Sequence, residues 1–355
     1  MQLIKSTFNI FHPLSFTIVI FVSITLWLSI NNPIFEGPDE NEHFIYMTIL
    51  AKDGHLPIYS PDETPEQKLQ PPLYYAIGSL FAGWVAITDL DSYLERNPHA
   101  SVSRVHVLGN KNTFVHPPNT RLLHGTALAV TLFRFVSIGF ATSTIIATYL
   151  ISCHVFKNET WLALGATAIV AFNPQFVYIS SVINTDNAVT AFSTIGLLLA
   201  IQIMQGYPSY KRIVVLGVVI GCASLTKVTG LALLPIGAIA ITVVAWRERS
   251  LSFWLQGGIL LAFTTGMVSG WWYIRNWQLH GDPLLTTLWI YHYNVEPKLE
   301  TLGDWLLPFI QAEVSYWATF GWLSIGVHES YYQAIRLFDR IGLLGLIWFS
   351  LTRST

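Results

Sequence analysis

Asp39, Glu40, Glu42 and His43 place four ionisable side chains within five positions, in the stretch NNPIFEGPDENEHFIY over residues 31–46. A carboxylate can take a proton from an attacking hydroxyl, and a carboxylate–imidazole set can ligate a divalent metal. Pro38 suits the first turn of a helix, which would put Asp39 and Glu40 at a helix N-terminus, where the dipole favours ionised carboxylates. If that helix runs on to Lys52, Asp39 and His43 are i,i+4 neighbours on one face. The plainer alternative is an acidic cap on a surface helix. Asp39, Glu40 and His43 are also the candidates for holding Mg2+ or Mn2+, although nothing in their spacing requires a metal.

Further along, Asn184 and Asp186 lie in SSVINTDNAVTAF, where either a helix cap or a substrate contact accounts for them. Lys227 interrupts an otherwise apolar stretch over residues 213–246. An ammonium there is expensive in lipid and points to a cavity or a protein partner, unless it snorkels to the surface. Arg275 follows three aromatics and reads equally as an interface anchor or a phosphate partner. No P-loop, dinucleotide fingerprint or zinc-protease motif occurs, so a nucleotide-driven engine is not supported.

The elements that must position these groups are apolar. Of 355 residues, 52% are hydrophobic and 11% charged, so a soluble enzyme is disfavoured, and no basic block marks a nucleic-acid partner. Cys153 and Cys222 both sit in apolar runs, which argues against a disulfide framework. The pattern predicts an all-α polytopic membrane protein with about eight transmembrane helices in one domain. Residues 14–30 form the first span and 31–130 a long extracytoplasmic loop with interfacial helices. Residues 131–274 form the transmembrane core, 275–334 an aromatic extracytoplasmic segment that includes Asp304, Trp305 and Pro308, and 335–355 a last helix that ends abruptly.

Two features set the topology. Lys5 keeps the N-terminus inside, and Lys157, Lys211, Arg212, Arg247 and Arg249 then mark inner loops. The apolar run over residues 72–88 is at the lower limit for a span, and reading it as interfacial keeps those basic loops inside. Residues 213–246 would be about 51 Å long as one helix, so the stretch must turn near Lys227. Asp39, Glu40, His43, Asn184, Asp186, Lys227 and Arg275 consequently collect on the outer side. Gly217, Gly221, Gly230 and Gly237 read as helix-packing contacts.

Together DENEHF (39–44), QPPLYY (70–75), NTDNAVTAF (184–192), LTKVTGLALLP (225–235) and WWYIRNWQLHGDP (271–283) resemble the GT-C glycosyltransferase superfamily, over about residues 10–330. The similarity is to its aminoarabinose-transferase and protein O-mannosyltransferase branch, or to a bacterial family beside it. The resemblance implies an enzyme of the inner or plasma membrane that takes a sugar from a polyprenyl-phosphate carrier and transfers it, with inversion, on the outer face. Asp39 matches the family's base, within an Asp-Glu motif that includes Glu40. Asp186 matches a second Asp, and Lys227 matches a Lys near the carrier phosphate. His43, Tyr74, Asn184 and Arg275 complete the expected donor-binding set. The acceptor is a lipid, protein or glycan. Rival readings are a polyprenyl-lipid transporter or flippase, and a non-catalytic envelope-assembly protein.

Overall fold

The computed structural model describes residues 13–58, 69–101, 108–116, 124–157, 159–293, 301, 303 and 312–353. Lys5, Asp304, Trp305 and Pro308, used in the sequence reading, lie outside them. In chain order the helices are α1 (Pro13–Asn31), α2 (Glu40–Asp53), α3 (Leu73–Ala82), α4 (Gly125–Val155), α5 (Thr160–Ala171) and α6 (Pro174–Ser180). They continue with α7 (Thr185–Gln205), α8 (Tyr210–Thr226), α9 (Leu233–Arg247), α10 (Leu251–His280), α11 (Thr286–Tyr293) and α12 (Glu329–Arg353). A two-stranded antiparallel ribbon, β1 (Thr319–Phe320) and β2 (Ile325–Gly326), pairs Thr319 with Gly326.

Among the described residues, α1, α4, α7, α10 and the run Val228–Arg247 that contains α9 are long and apolar enough to cross a bilayer. Helices α5 and α6 together make a sixth segment, bent by 63°. The described residues of this multi-pass, predominantly helical architecture hold five or six such segments; the sequence suggested about eight. Helix α8 has 17 residues. Helix α12 begins at Glu329 and carries Arg336, Asp339 and Arg340 in its first half, charges that a lipid core disfavours. Helix α3 has 10 residues, about 15 Å, well short of a ~30 Å hydrocarbon core.

Local chemistry fixes the helix ends that matter for the site. Asn173 accepts the Phe176 N–H and Pro174 occupies the first turn, so α6 starts afresh at the bend. Asn184 caps α7 by accepting the Asp186 N–H at 2.8 Å. Helix α8 stops at Lys227, whose backbone is extended, and a 3-10 turn over Val228–Ala232 leads into α9. That turn folds back closely on α8: a Cβ at Gly230 would lie 2.4 Å from the carbonyl carbon of Ala223. Gly221 lets α8 and α10 approach, since a Cβ there would lie 2.5 Å from Cβ of Val268.

Among the described residues three large apolar cores form, beside a small cluster of Leu69 and Leu285. One joins α2, α3 and α4 through Phe44, Tyr74 and Phe133. A second joins α7, α8, α9 and α10. The third packs α1 against α4 and α5. At the far end of α7, Arg212 donates to the Gln202 carbonyl and Arg247 to those of Met204 and Gly206, closing the C-terminal carbonyls of the helix. Asp186 stands at the opposite end, about 30 Å away along a 21-residue helix.

Candidate functional site

A buried charge pair anchors the site. Arg134, in the apolar interior of α4, donates through Nε and Nη2 to the two carboxylate oxygens of Glu40, at 2.7 Å each. Neither side chain is exposed to solvent. The guanidinium also donates to the carbonyls of Ser29, Asn32 and Pro33, and the carboxylate accepts the N–H groups of Phe35 and Ile183. A planar fork of five donors meets five acceptors, the arrangement a buried Arg–carboxylate pair requires. Glu40 neighbours Asp39 and Ile183 neighbours Asn184, so the clamp ties together the two loops that carry the other polar residues.

Asp39 immediately precedes α2 and has a left-handed backbone (φ 56°), which Asp tolerates better than most residues. Its carbonyl accepts the His43 N–H at 3.0 Å, opening the helix. Asp39 lines a polar cavity of about 350 Å3 together with His43, Gln70, Asn184, Asp186 and Lys227. The Lys227 ammonium donates to Asp186 Oδ1 at 2.5 Å, and both side chains are partly exposed. Because Asn184 caps α7, Asp186 occupies the second helical position and faces the lysine. An ammonium has three donors, so this pairing leaves Lys227 with capacity for a phosphate.

His43 is buried, and its Nδ1 lies 2.8 Å from the Tyr75 hydroxyl. Burial is the main influence on its pKa and lowers it to about 3, with Asp186 raising and Lys227 lowering it by smaller amounts. The imidazole is therefore neutral near pH 7. Burial, then the neighbouring Tyr46 and Tyr74 phenols and last the Asp39 and Glu42 carboxylates, push the Tyr75 phenol well above its ordinary range. With the phenol as donor to Nδ1, the imidazole proton lies on Nε2, on a side chain that lines the cavity.

A second, larger cavity of about 650 Å3 meets the first, and Asp39, Asn184 and Asp186 line both. Its walls come from α4, the bend between α5 and α6, and the first half of α7.

The structure brings Asp39, His43, Asn184, Asp186 and Lys227 together, and it removes three expected members. Glu40 is not a catalytic group at the cavity, because its carboxylate is fully occupied by Arg134 and two backbone N–H groups. Tyr74 is completely buried; its hydroxyl pairs with Ser137 and accepts the Asn184 N–H at 3.0 Å, so it holds the capping residue and does not line the polar cavity. Arg275 does not line the polar cavity: it donates to the Pro57 carbonyl at 3.0 Å and stacks on Trp272. The proposed ligand set of Asp39, Glu40 and His43 does not assemble either, and among the described residues no three His, Cys, Asp or Glu side chains form a metal-holding group. Sequence reasoning missed Arg134, although an Arg inside an apolar run was the signal. It also missed Trp289, which lines the polar cavity from α11.

Residues 119–272 match the model of the dolichyl-phosphate-mannose-protein mannosyltransferase family. The matched stretch carries Arg134, Asn184, Asp186 and Lys227, and the resemblance to GT-C membrane glycosyltransferases holds over it. No curated protein matches the chain. Among solved structures, the S. cerevisiae protein O-mannosyltransferase Pmt1-Pmt2 complex bound to the sugar donor is similar, with 16% identity and a TM-score of 0.46. The match covers 81% of this chain and 34% of that one, so this chain spans about a third of its length.

Proposed function

We propose that this protein transfers a sugar from a polyprenyl-phosphate carrier to an acceptor hydroxyl, with inversion at C1, on the extracytoplasmic side of the membrane. One observation carries the reading: a carboxylate, Asp39, and an ammonium, Lys227, face the same polar cavity beside helices built to cross a membrane. Breaking the bond from C1 to the phosphate oxygen needs a base for the acceptor and a cation for the leaving group.

Asp39 is the base. It accepts the acceptor proton as the new C1–O bond forms. Lys227 takes up charge on the departing polyprenyl phosphate, and Asp186 holds the ammonium in place. His43, neutral and carrying its proton on Nε2, donates a hydrogen bond to a substrate oxygen. Tyr75 fixes that tautomer. The clamp between Glu40 and Arg134 keeps the Asp39 loop against the Asn184 loop, a positioning role that catalysis at a fixed geometry demands. A lipid-linked donor needs no nucleotide-binding domain, which agrees with the absence of such motifs.

The test is to reconstitute the full chain in nanodiscs with a panel of polyprenyl-phosphate-linked sugars and measure release of free polyprenyl phosphate. Release that depends on Lys227 supports transfer. Movement of the intact donor across a bilayer without C1–O cleavage identifies a flippase and contradicts it.

A further inference from the structure

The larger cavity has a chemistry opposite to its neighbour's. Among the described residues that line it there is no Lys or Arg. Several of its polar side chains are turned onto backbone: the hydroxyls of Thr144 and Thr194 donate to the carbonyls of Phe140 and Thr190. Asn173 accepts the Phe176 N–H and donates to the Tyr316 carbonyl, and Gln175 accepts the Thr319 N–H. A hydroxyl that donates to its own helix is no longer available as a donor to the space beside it. The chamber is therefore uncharged and largely apolar, except where Asp39 and Asp186 close the end that meets the polar cavity. It lies along segments long and apolar enough to span a membrane. Thr194 is ten residues beyond Asn184 on α7, about 15 Å further into the helix.

The direction of the chemistry assigns an occupant, on the premise that the transfer reading above holds. Inversion at C1 requires nucleophile and leaving group on opposite faces of the sugar. Lys227 fixes the phosphate in the smaller cavity, and it is not among the residues lining the larger one. Asp39 also lines the larger cavity, which offers the attacking oxygen an approach to the carboxylate away from Lys227. We infer that this chamber holds the acceptor, and that the acceptor is a hydroxyl-bearing lipid whose hydrocarbon chain lies along α4 and α7. Its hydroxyl gives its proton to the Asp39 carboxylate while its oxygen bonds to C1. The bond between C1 and the phosphate oxygen breaks, and its electron pair leaves with polyprenyl phosphate beside Lys227. A donor tail placed in the chamber would occupy the path of the nucleophile.

The experiment uses the full chain in nanodiscs, a long-chain alkyl glucoside bearing a photoactivatable diazirine as the lipid probe, and dolichyl phosphate as the competitor. The expected result is labelling of the α4 and α7 peptides around Thr148 and Thr194 that persists under saturating dolichyl phosphate. Thr194→Trp and, independently, Thr148→Phe fill the chamber and should cut labelling at least tenfold while dolichyl phosphate affinity stays unchanged. Displacement of the probe by dolichyl phosphate, or a tenfold loss of dolichyl phosphate affinity in either variant, would show that the donor tail occupies the chamber and overturn the inference. Absence of labelling in the unmodified protein overturns it as well. Dolichyl phosphate binding that does not depend on Lys227 contradicts the transfer reading instead, so the two failures are distinguishable.

Discussion

Glu40 adjoins Asp39 in sequence, yet its carboxylate turns away from the cavity that Asp39 lines and takes two donors from Arg134 at 2.7 Å each. Adjacent acids are thus held differently, one in a buried clamp and one at the wall of the polar cavity. Arg134→Ala leaves Glu40 buried without its partner, which typically costs about 3–5 kcal/mol. Thermal unfolding in detergent should show a large drop in Tm for Arg134→Ala. The double variant Arg134→Met with Glu40→Gln should recover part of it, because no charge remains buried. Equal Tm for Arg134→Ala and the unmodified protein would contradict the clamp.

Close packing at Gly37 offers a second test of positioning. A Cβ there would lie 2.8 Å from Cβ of Val182, two residues before Asn184. Gly37→Ala must push the Asp39 loop away from the Asn184 loop, and displacement of about 1 Å from productive geometry can cost on the order of 10²-fold in rate. Turnover should therefore fall strongly while dolichyl phosphate affinity, set at Lys227, changes little.

The same division accounts for what could be read before the fold was known. Asp39, His43 and Asp186 announce themselves as charged or polar groups flanking apolar runs and Lys227 as a charge interrupting one, and the expected topology puts them on one side. What escaped was pairing across the chain. Glu40 and Arg134 are 94 positions apart, Tyr74 and Asn184 are 110 apart, and no periodicity links them. Arg275 misled because an Arg near an expected phosphate side is as able to bind carbonyls, here those of Leu56 and Pro57. Among the described residues, helix α8 with 17 residues and α12 with its charged first half are the two whose length or charge sets them apart from the long apolar helices.

Histidine titration gives a pH prediction with a definite sign. The unfolded imidazole takes up a proton near 6.5, and the folded His43 does so only near 3, chiefly because it is buried. The unfolded chain therefore binds more protons in that window, and His43 makes stability fall as pH drops from about 6.5 toward 3. Between pH 6.5 and 5, above the range where carboxylates titrate, His43→Asn should show a flatter dependence of Tm on pH than the unmodified protein. Parallel curves would contradict a buried, neutral His43.

Lys227→Ala should weaken dolichyl phosphate binding and slow transfer together, since the cation contacts phosphate in the ground state and in the transition state. Asp186→Asn should have a smaller effect of the same kind, because the amide still accepts a hydrogen bond from the ammonium but holds it less firmly. Equilibrium binding of dolichyl phosphate to both variants in nanodiscs checks the order. Affinity unchanged by Lys227→Ala would remove the phosphate from that cavity.

The base assignment is tested most directly by single-turnover sugar transfer in Asp39→Asn at saturating donor. Asn also tolerates the left-handed backbone found at position 39, so the fold and the donor affinity should be retained. General-base catalysis contributes about 10²- to 10⁴-fold, and the rate of C1–O cleavage should fall by that factor with unchanged donor binding. Transfer by Asp39→Asn at the rate of the unmodified protein would contradict the account.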